Sequence, residues 1–259
     1  MSDNALRYEK IGDHIALVTI NRPEARNAVN PAVAAGIDAA VKESEADDQV
    51  WAVVLTGAGD KAFCAGADLK AIAAGEAASM MTKDGGFAGL TEATRTKLWI
   101  AAVNGAALAG GCELTLSCDL IVASEKASFG VPEVKRGLVA LAGGVFRLPR
   151  ALPKAIALEL IATGGVLSVE RALQLGFINR IAPHDRVVED ALAFAEEICA
   201  NAPLCVRESL VVARQAYDLD EEALWSLSAE AGKRIFKSED FKEGPRAFVE
   251  KRAPEWKGR

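Results

Sequence analysis

The chain has 259 residues, 51% of them hydrophobic and 25% charged, with a formal net charge of −6. A chain of this length buries enough apolar surface to fold without a disulfide or metal staple. The acidic balance excludes duplex nucleic acid as a partner, because that needs a dense basic face, but leaves room for a small anionic ligand held by local cations or backbone N–H groups.

The N-terminus reads MSDNALRYEK, with no basic stretch leading into an apolar one, and no apolar run along the chain reaches the ~20 residues that span a bilayer. The expected location is the cytoplasm, with no membrane partner. Residues 6–20 predict a hairpin: LRYEKI, a Gly12-Asp13 turn, then HIALVTI. Pro31 suits a first helical turn, and PAVAAGIDAAVKESEAD predicts an amphipathic helix. WAVVLTG follows as a short buried strand.

Residues 57–70 predict a Gly/Ala-rich loop entering a helix, and residues 75–90 carry little periodicity and predict a mobile segment. The plan then repeats. Strand WIAAVNG leads through AALAGG to helix CELTLS, strand DLIVAS and a short edge, FGVPEV. From about residue 150 the chain predicts helices over 153–162, 168–175, 186–200, 203–216 and 220–236, punctuated by Gly164-Gly165, Pro183 and Pro203. Two strand–loop–helix units followed by helices predict an α/β core with a helical C-terminal region. The five cysteines show no C-x-x-C spacing, and His14 and His184 stand far apart, so neither a disulfide framework nor a metal centre is signalled.

Two loops carry the first chemical signal. CAGAD (64–68) and AALAGGCE (106–113) are nearly free of side chains, and each joins a buried strand to a helix start. Small residues admit a ligand close to the backbone, and a helix start offers unpaired N–H groups with partial positive charge. Two such ends at one point can donate to a single oxygen, which is an oxyanion hole. Either loop alone is more often a packing device, and neither matches a phosphate-binding signature.

Two acids carry the second signal. Glu113 falls in a first helical turn, where the helix dipole alone favours a carboxylate by ~0.3–1 kcal/mol. Glu133 follows Pro132 in an apolar stretch. Singly, each has a structural explanation. Together, among small and apolar neighbours, they have their pKa values raised by desolvation, and two acids in one pocket do not ionise together. One then holds a proton while the other accepts one, as general acid/base work on a water requires.

FCAGADL, AAVNGAALAGGCELTLSCDLIVAS and ASFGVPEVKRGL, in this order and spacing, strongly resemble the crotonase family, and the likeness runs from NRPEARNAVN to the end of the chain. It implies a ββα superhelix over residues 1–200 and a helical trimerisation region over 201–259. It implies an acyl-CoA substrate, no cofactor beyond the coenzyme A of that substrate, and a homotrimer or homohexamer. By resemblance, Ala67 and Gly110 hold the thioester oxygen through their N–H groups, and Glu113 and Glu133 position and activate water. Ala65, Gly66, Asp68, Leu69 and Lys70 match the stretch lining the coenzyme A channel, Ala25 and Arg26 a turn near its nucleotide, and Leu141 a position close to the acyl pocket. Ala140 and Leu141 stand where many hydratases have proline and glycine. The tail EGPRAFVEKRAPEWKGR is similar to that of carnitinyl-CoA dehydratases.

The retained pair of glutamates points to hydration of a 2-enoyl-CoA or the reverse dehydration. The alternatives are carnitinyl-CoA dehydration as a substrate variant, a lyase or isomerase on the same scaffold, and a CoA-binding protein without turnover. A serine hydrolase is excluded by the lack of G-x-S-x-G and of a triad context for either histidine.

Overall fold

The computed structural model describes residues 5–259. Strands β1 (Leu6–Ile11) and β2 (Ile15–Ile20) form the expected hairpin, with Gly12 turning at φ +58°. Helix α1 (Pro31–Ala46) starts with Pro31 behind the Asn30 cap, whose side chain accepts the Val33 N–H. Then β3 (Ala52–Gly57), β4 (Ala62–Cys64) and α2 (Leu69–Ala73) make one ββα turn. After a small hairpin, β5 (Met81–Thr82) and β6 (Gly86–Phe87), the next turn is β7 (Leu98–Val103), β8 (Ala106–Leu108) and α3 (Gly110–Ser117). A third follows as β9 (Leu120–Ser124), β10 (Ser128–Gly130) and a 3-10 helix over Pro132–Arg136.

Each turn gives one strand to each of two sheets. The larger sheet has the order β1-β2-β3-β7-β9-β12, with β12 at Arg180–Ala182, and is parallel from β2 onward. The smaller has the order β11-β10-β8-β4, with β11 at Leu167–Ser168. Strand β3 is buried at every position because both its faces are covered. By the two-residue period of a strand, Val53 and Leu55 face the core between the sheets and α1. Ala52 and Val54 face the outer side.

The remaining helices are α4 (Gly144–Ala151), α5 (Lys154–Thr163), α6 (Val169–Gln174), α7 (Val187–Cys199), α8 (Pro203–Ala213), α9 (Glu221–Ile235) and α10 (Glu239–Glu250). Helix α7 closes the outer side of the large sheet with Val187, Ala191 and Ala195.

The structure corrects the sequence reading in four places. Strands β4 and β8 lie inside the two loops; at three residues each they are too short for a periodic signal. Strands β11 and β12 interrupt the C-terminal stretch expected to be nearly all helical. Helices α4 and α10 each contain a proline, Pro149 and Pro245, which reads as a break in sequence, yet each helix continues past it. Residues 75–90, expected to be a mobile loop, fold as a 3-10 turn and the β5–β6 hairpin, and bury Met80, Phe87 and Leu90 in the core.

Candidate active site

The two small-residue loops meet. Gly66 adopts φ +92°, and a Cβ there would lie 2.8 Å from the Ala109 Cβ and 3.0 Å from the Gly110 nitrogen. A Cβ on Gly111 would fall 1.9 Å from the Cys64 carbonyl oxygen. Both glycines are therefore required by the contact between the loops, and Gly66 by its backbone as well.

The Ala67 side of this junction is fixed by a parallel bridge to Val29. The Val29 N–H donates to the Gly66 carbonyl and the Asp68 N–H to the Val29 carbonyl, both at 2.8 Å. In such a bridge the central residue turns its own N–H to the opposite side. On the other loop Ala109 takes φ +52°, rare outside glycine, and its carbonyl accepts the Cys112 and Glu113 N–H groups. Among the described residues, neither the Ala67 nor the Gly110 N–H donates to a backbone carbonyl.

The turn at residues 22–29 is bolted against this junction. The Ala65 N–H donates to the Arg26 carbonyl, and the Asn27 side chain donates to the Ala58 and Ala62 carbonyls at 2.9 and 2.7 Å. Arg22 pairs with Asp68 at 2.9 Å, and the Asp68 carboxylate also caps α2 through the Lys70 N–H. Burial works to raise the Asp68 pKa, but Arg22 and the capping N–H hold it below its ordinary value. Ala25, Arg26 and residues 65–70 thus form one surface, with Arg26, Leu69 and Lys70 exposed.

Glu113 lies in the first turn of α3 and is 3% exposed. Its Oε1 accepts the Gly144 N–H at 2.9 Å. Burial, with a contribution from the Glu133 charge, pushes its pKa up to about 7, against the opposing pull of the Gly144 N–H and of Arg147. Glu133 sits in the 3-10 turn closed by Gly137 at φ +69°, and its Oε2 is buried without a hydrogen-bond partner among the described residues. Burial raises its pKa too. A charge on Glu133 works against ionisation of Glu113. Both charges reach the Cys112 thiol, which burial pushes up to about 12.

Sequence reasoning missed three supports of this site. Gly144 supplies the N–H to Glu113; the Gly143-Gly144 pair before an amphipathic stretch was the available signal. Arg147 donates to the Ser117 hydroxyl at 2.9 Å and to the Thr91 carbonyl at 2.5 Å, tying α3, α4 and the 81–93 segment together. Phe87 packs where a Cβ on Gly110 would lie, at 2.5 Å. Leu141, expected near an acyl pocket, stands 82% exposed on the loop before Gly144. The five cysteines are free, and among the described residues no group of three or more His, Cys, Asp or Glu side chains is placed to hold a metal. No helix of the described residues is long and apolar enough to cross a membrane.

The enoyl-CoA hydratase/isomerase family model matches residues 10–259. A carnitinyl-CoA dehydratase of Salmonella typhi is 42% identical over 247 residues, covering 93% of this chain and 94% of the relative. Among solved structures, an enoyl-CoA hydratase from Mycobacterium tuberculosis H37Rv superposes with a TM-score of 0.95 at 44% identity, over 99% of this chain and 100% of that one. A carnitinyl-CoA hydratase from Mycobacterium avium is 50% identical with a TM-score of 0.79, both chains being covered in full. Likeness of this extent in sequence and in three dimensions makes the chain a member of the enoyl-CoA hydratase/isomerase, or crotonase, family.

Proposed function

We propose that the chain adds water to the double bond of a 2-enoyl-CoA thioester, or removes it from the corresponding 3-hydroxyacyl-CoA. The observation that carries this reading is the electrostatically coupled pair of buried Glu113 and half-buried Glu133, together with two loops in which, among the described residues, neither the Ala67 nor the Gly110 N–H donates to a backbone carbonyl. The relatives named enoyl-CoA hydratase and carnitinyl-CoA dehydratase support the same hydro-lyase chemistry.

In this reading the two N–H groups hold the thioester oxygen and stabilise the negative charge that grows on it as the enolate forms. Water adds its oxygen to the β carbon; one of its protons goes to the carboxylate that is ionised, and a proton is delivered to the α carbon from the carboxyl pair. The dehydration runs the same path backwards. Burial raises both carboxyls above their ordinary value, Glu113 to about 7, and the Glu133 charge opposes ionisation of Glu113, which suits a pair that shares acid and base work. Residues 65–70 line the coenzyme A path. Lys70 and Arg26, both exposed, are available to its phosphates, while Asp68 serves the scaffold through Arg22. The chemistry needs no cofactor beyond the substrate's own coenzyme A. The enzyme works in the cytoplasm, and residues 201–259 assemble it as a trimer or a pair of trimers.

A specific observation favours carnitinyl-CoA dehydration as the substrate variant, since curated relatives of that name align over 93% of the chain. The test is loss of enoyl absorbance with crotonyl-CoA and with crotonobetainyl-CoA, for the wild type and for Glu113→Gln and Glu133→Gln. Turnover of either substrate that collapses in both variants supports the hydro-lyase. Turnover of the second alone assigns the variant. Binding of both esters with no water addition to either sinks the reading.

A further inference from the structure

A cavity of about 540 Å³ lies behind α3, lined by the C-terminal end of that helix, by Phe146, Arg147 and Arg150 of α4, and by Arg95 and Arg214. Glu113 and Glu133 are not part of its wall. Four guanidinium groups face it against two carboxylates, Asp119 and Asp218, so two positive charges are left without a partner in the lining. Glu113 and Glu92 also act on Arg147, from outside the cavity.

Arg95 is the telling group. Its side chain is 9% exposed, and Nη2 donates to the Ser117 carbonyl. Nε and Nη1 are buried with no hydrogen-bond partner among the described residues. The nearest carboxylate oxygen, Asp119 Oδ2, is 3.8 Å from Nη1, beyond hydrogen-bonding reach. Asp119 is also already engaged: Arg214 grips both its oxygens at 2.8 Å, and the Trp99 N–H donates to Oδ2 at 2.8 Å. The Arg95 guanidinium lies 5.4 Å over the Trp99 ring, which limits its freedom to turn elsewhere. A guanidinium does not release its proton in a protein, so burial leaves its free donors in need of an acceptor.

The opposite wall is arranged to match. Phe146 has the guanidinium carbons of Arg147 and Arg150 at 5.4 and 5.9 Å from its ring centre, which sets both cations along one side. Arg147 bonds only to neutral oxygens, of Ser117, Ala142 and Thr91. Arg150 is paired with Asp218 at 2.7 Å but is half-exposed and free to share. Planar forks around one space match the oxygens of a phosphate or a carboxylate.

We propose that this cavity is a second binding site, separate from the glutamate pair, which takes one oxyanion of phosphate or carboxylate type between Arg95, Arg147 and Arg150. The oxyanion comes either from a free small molecule or from an acidic side chain of a second copy of this chain, and the two sources are separable. Calorimetric titration of the full chain with inorganic phosphate, at constant ionic strength balanced with chloride, is the first arm. Saturable binding of one phosphate per chain, weakened at least tenfold in Arg95→Gln and severalfold in Arg150→Gln, supports the site and a free ligand. Arg150 is exposed enough that its variant keeps the fold even if Arg95→Gln does not. Sedimentation of the same proteins is the second arm. No phosphate binding, with a lower mass for the variants than for the wild type, supports the site and assigns the oxyanion to a neighbouring copy. Phosphate binding that is equal or absent in all three proteins, with unchanged mass, overturns the proposal.

Discussion

Around Glu113 the large side chains are inside: Phe63, Trp99, Leu114 and Phe129 are all less than 2% exposed. On α9 and α10 the reverse holds, with Trp225 at 68%, Phe236 at 65% and Phe248 at 86% exposure. The first region completes its packing within one chain, because two sheets and α1 cover both faces of its strands. The second presents apolar side chains on amphipathic helices that the other described residues leave largely uncovered, and a patch of that kind marks an interaction surface. The Glu113 region is thus held by intrachain packing, while the terminal helices keep large apolar side chains exposed.

The comparison breaks most visibly at the glutamates. Glu113→Gln and Glu133→Gln each lower kcat by about 10²–10⁴-fold, roughly 3–5 kcal/mol on the barrier, with the fold retained by circular dichroism. A loss confined to one variant leaves the paired mechanism without its second member.

Next is the junction of the loops. Gly111→Ala places a methyl 1.9 Å from the Cys64 carbonyl oxygen, so backbone has to move, at a cost on the order of 3 kcal/mol in denaturant unfolding. Gly12→Ala is the contrast. Nothing lies within 4 Å of a Cβ there, and the change costs only the strain of φ +58°, about 1 kcal/mol.

The buried carboxyl of Glu113 gives a pH signature. Its folded pKa of about 7 lies above the ordinary 4.5, so the folded state holds a proton that the unfolded chain releases earlier. That contribution to stability is fully present below pH 4.5 and is lost as pH rises through about 7, amounting to about 3 kcal/mol. Glu113→Gln, which cannot ionise, lacks this decline, and denaturant titrations of both proteins at pH 5 and pH 8 measure the difference.

The smallest intrachain effect belongs to the terminal helices. Phe248→Ser leaves the unfolding free energy of the single chain within about 0.5 kcal/mol, because the ring is already in water. Its effect falls on the sedimenting mass, which drops if this face joins copies. An unchanged mass removes α10 from the assembly.

Legibility followed length and period. Strands β3, β7 and β9 and helices α1 and α5–α9 announce themselves as apolar runs or amphipathic stretches with a cap or breaker at an end. Strands β4 and β8 do not, since three residues make no pattern and their pairing partners lie some forty residues apart. Helices α4 and α10 were hidden by Pro149 and Pro245. At the site, Ala67, Gly110, Glu113 and Glu133 were readable as small-residue loops and acids, each ambiguous alone. Gly144 and Arg147, which bear on the Glu113 carboxyl, lie 31 and 34 positions beyond it and carry no local mark of that work.

The sequence by itself determined the class of the fold, the two stripped loops and the presence of two acids, because these depend on local periodicity, backbone permissiveness and residue chemistry. Only the tertiary structure decided that Gly66 touches Ala109 and Gly110, that burial raises both glutamate carboxyls and that of Glu113 to about 7, and that Arg95 is buried with two donors lacking a partner among the described residues. Those properties come from desolvation and from contacts between segments distant in the chain, and neither exists until the sheets close on one another.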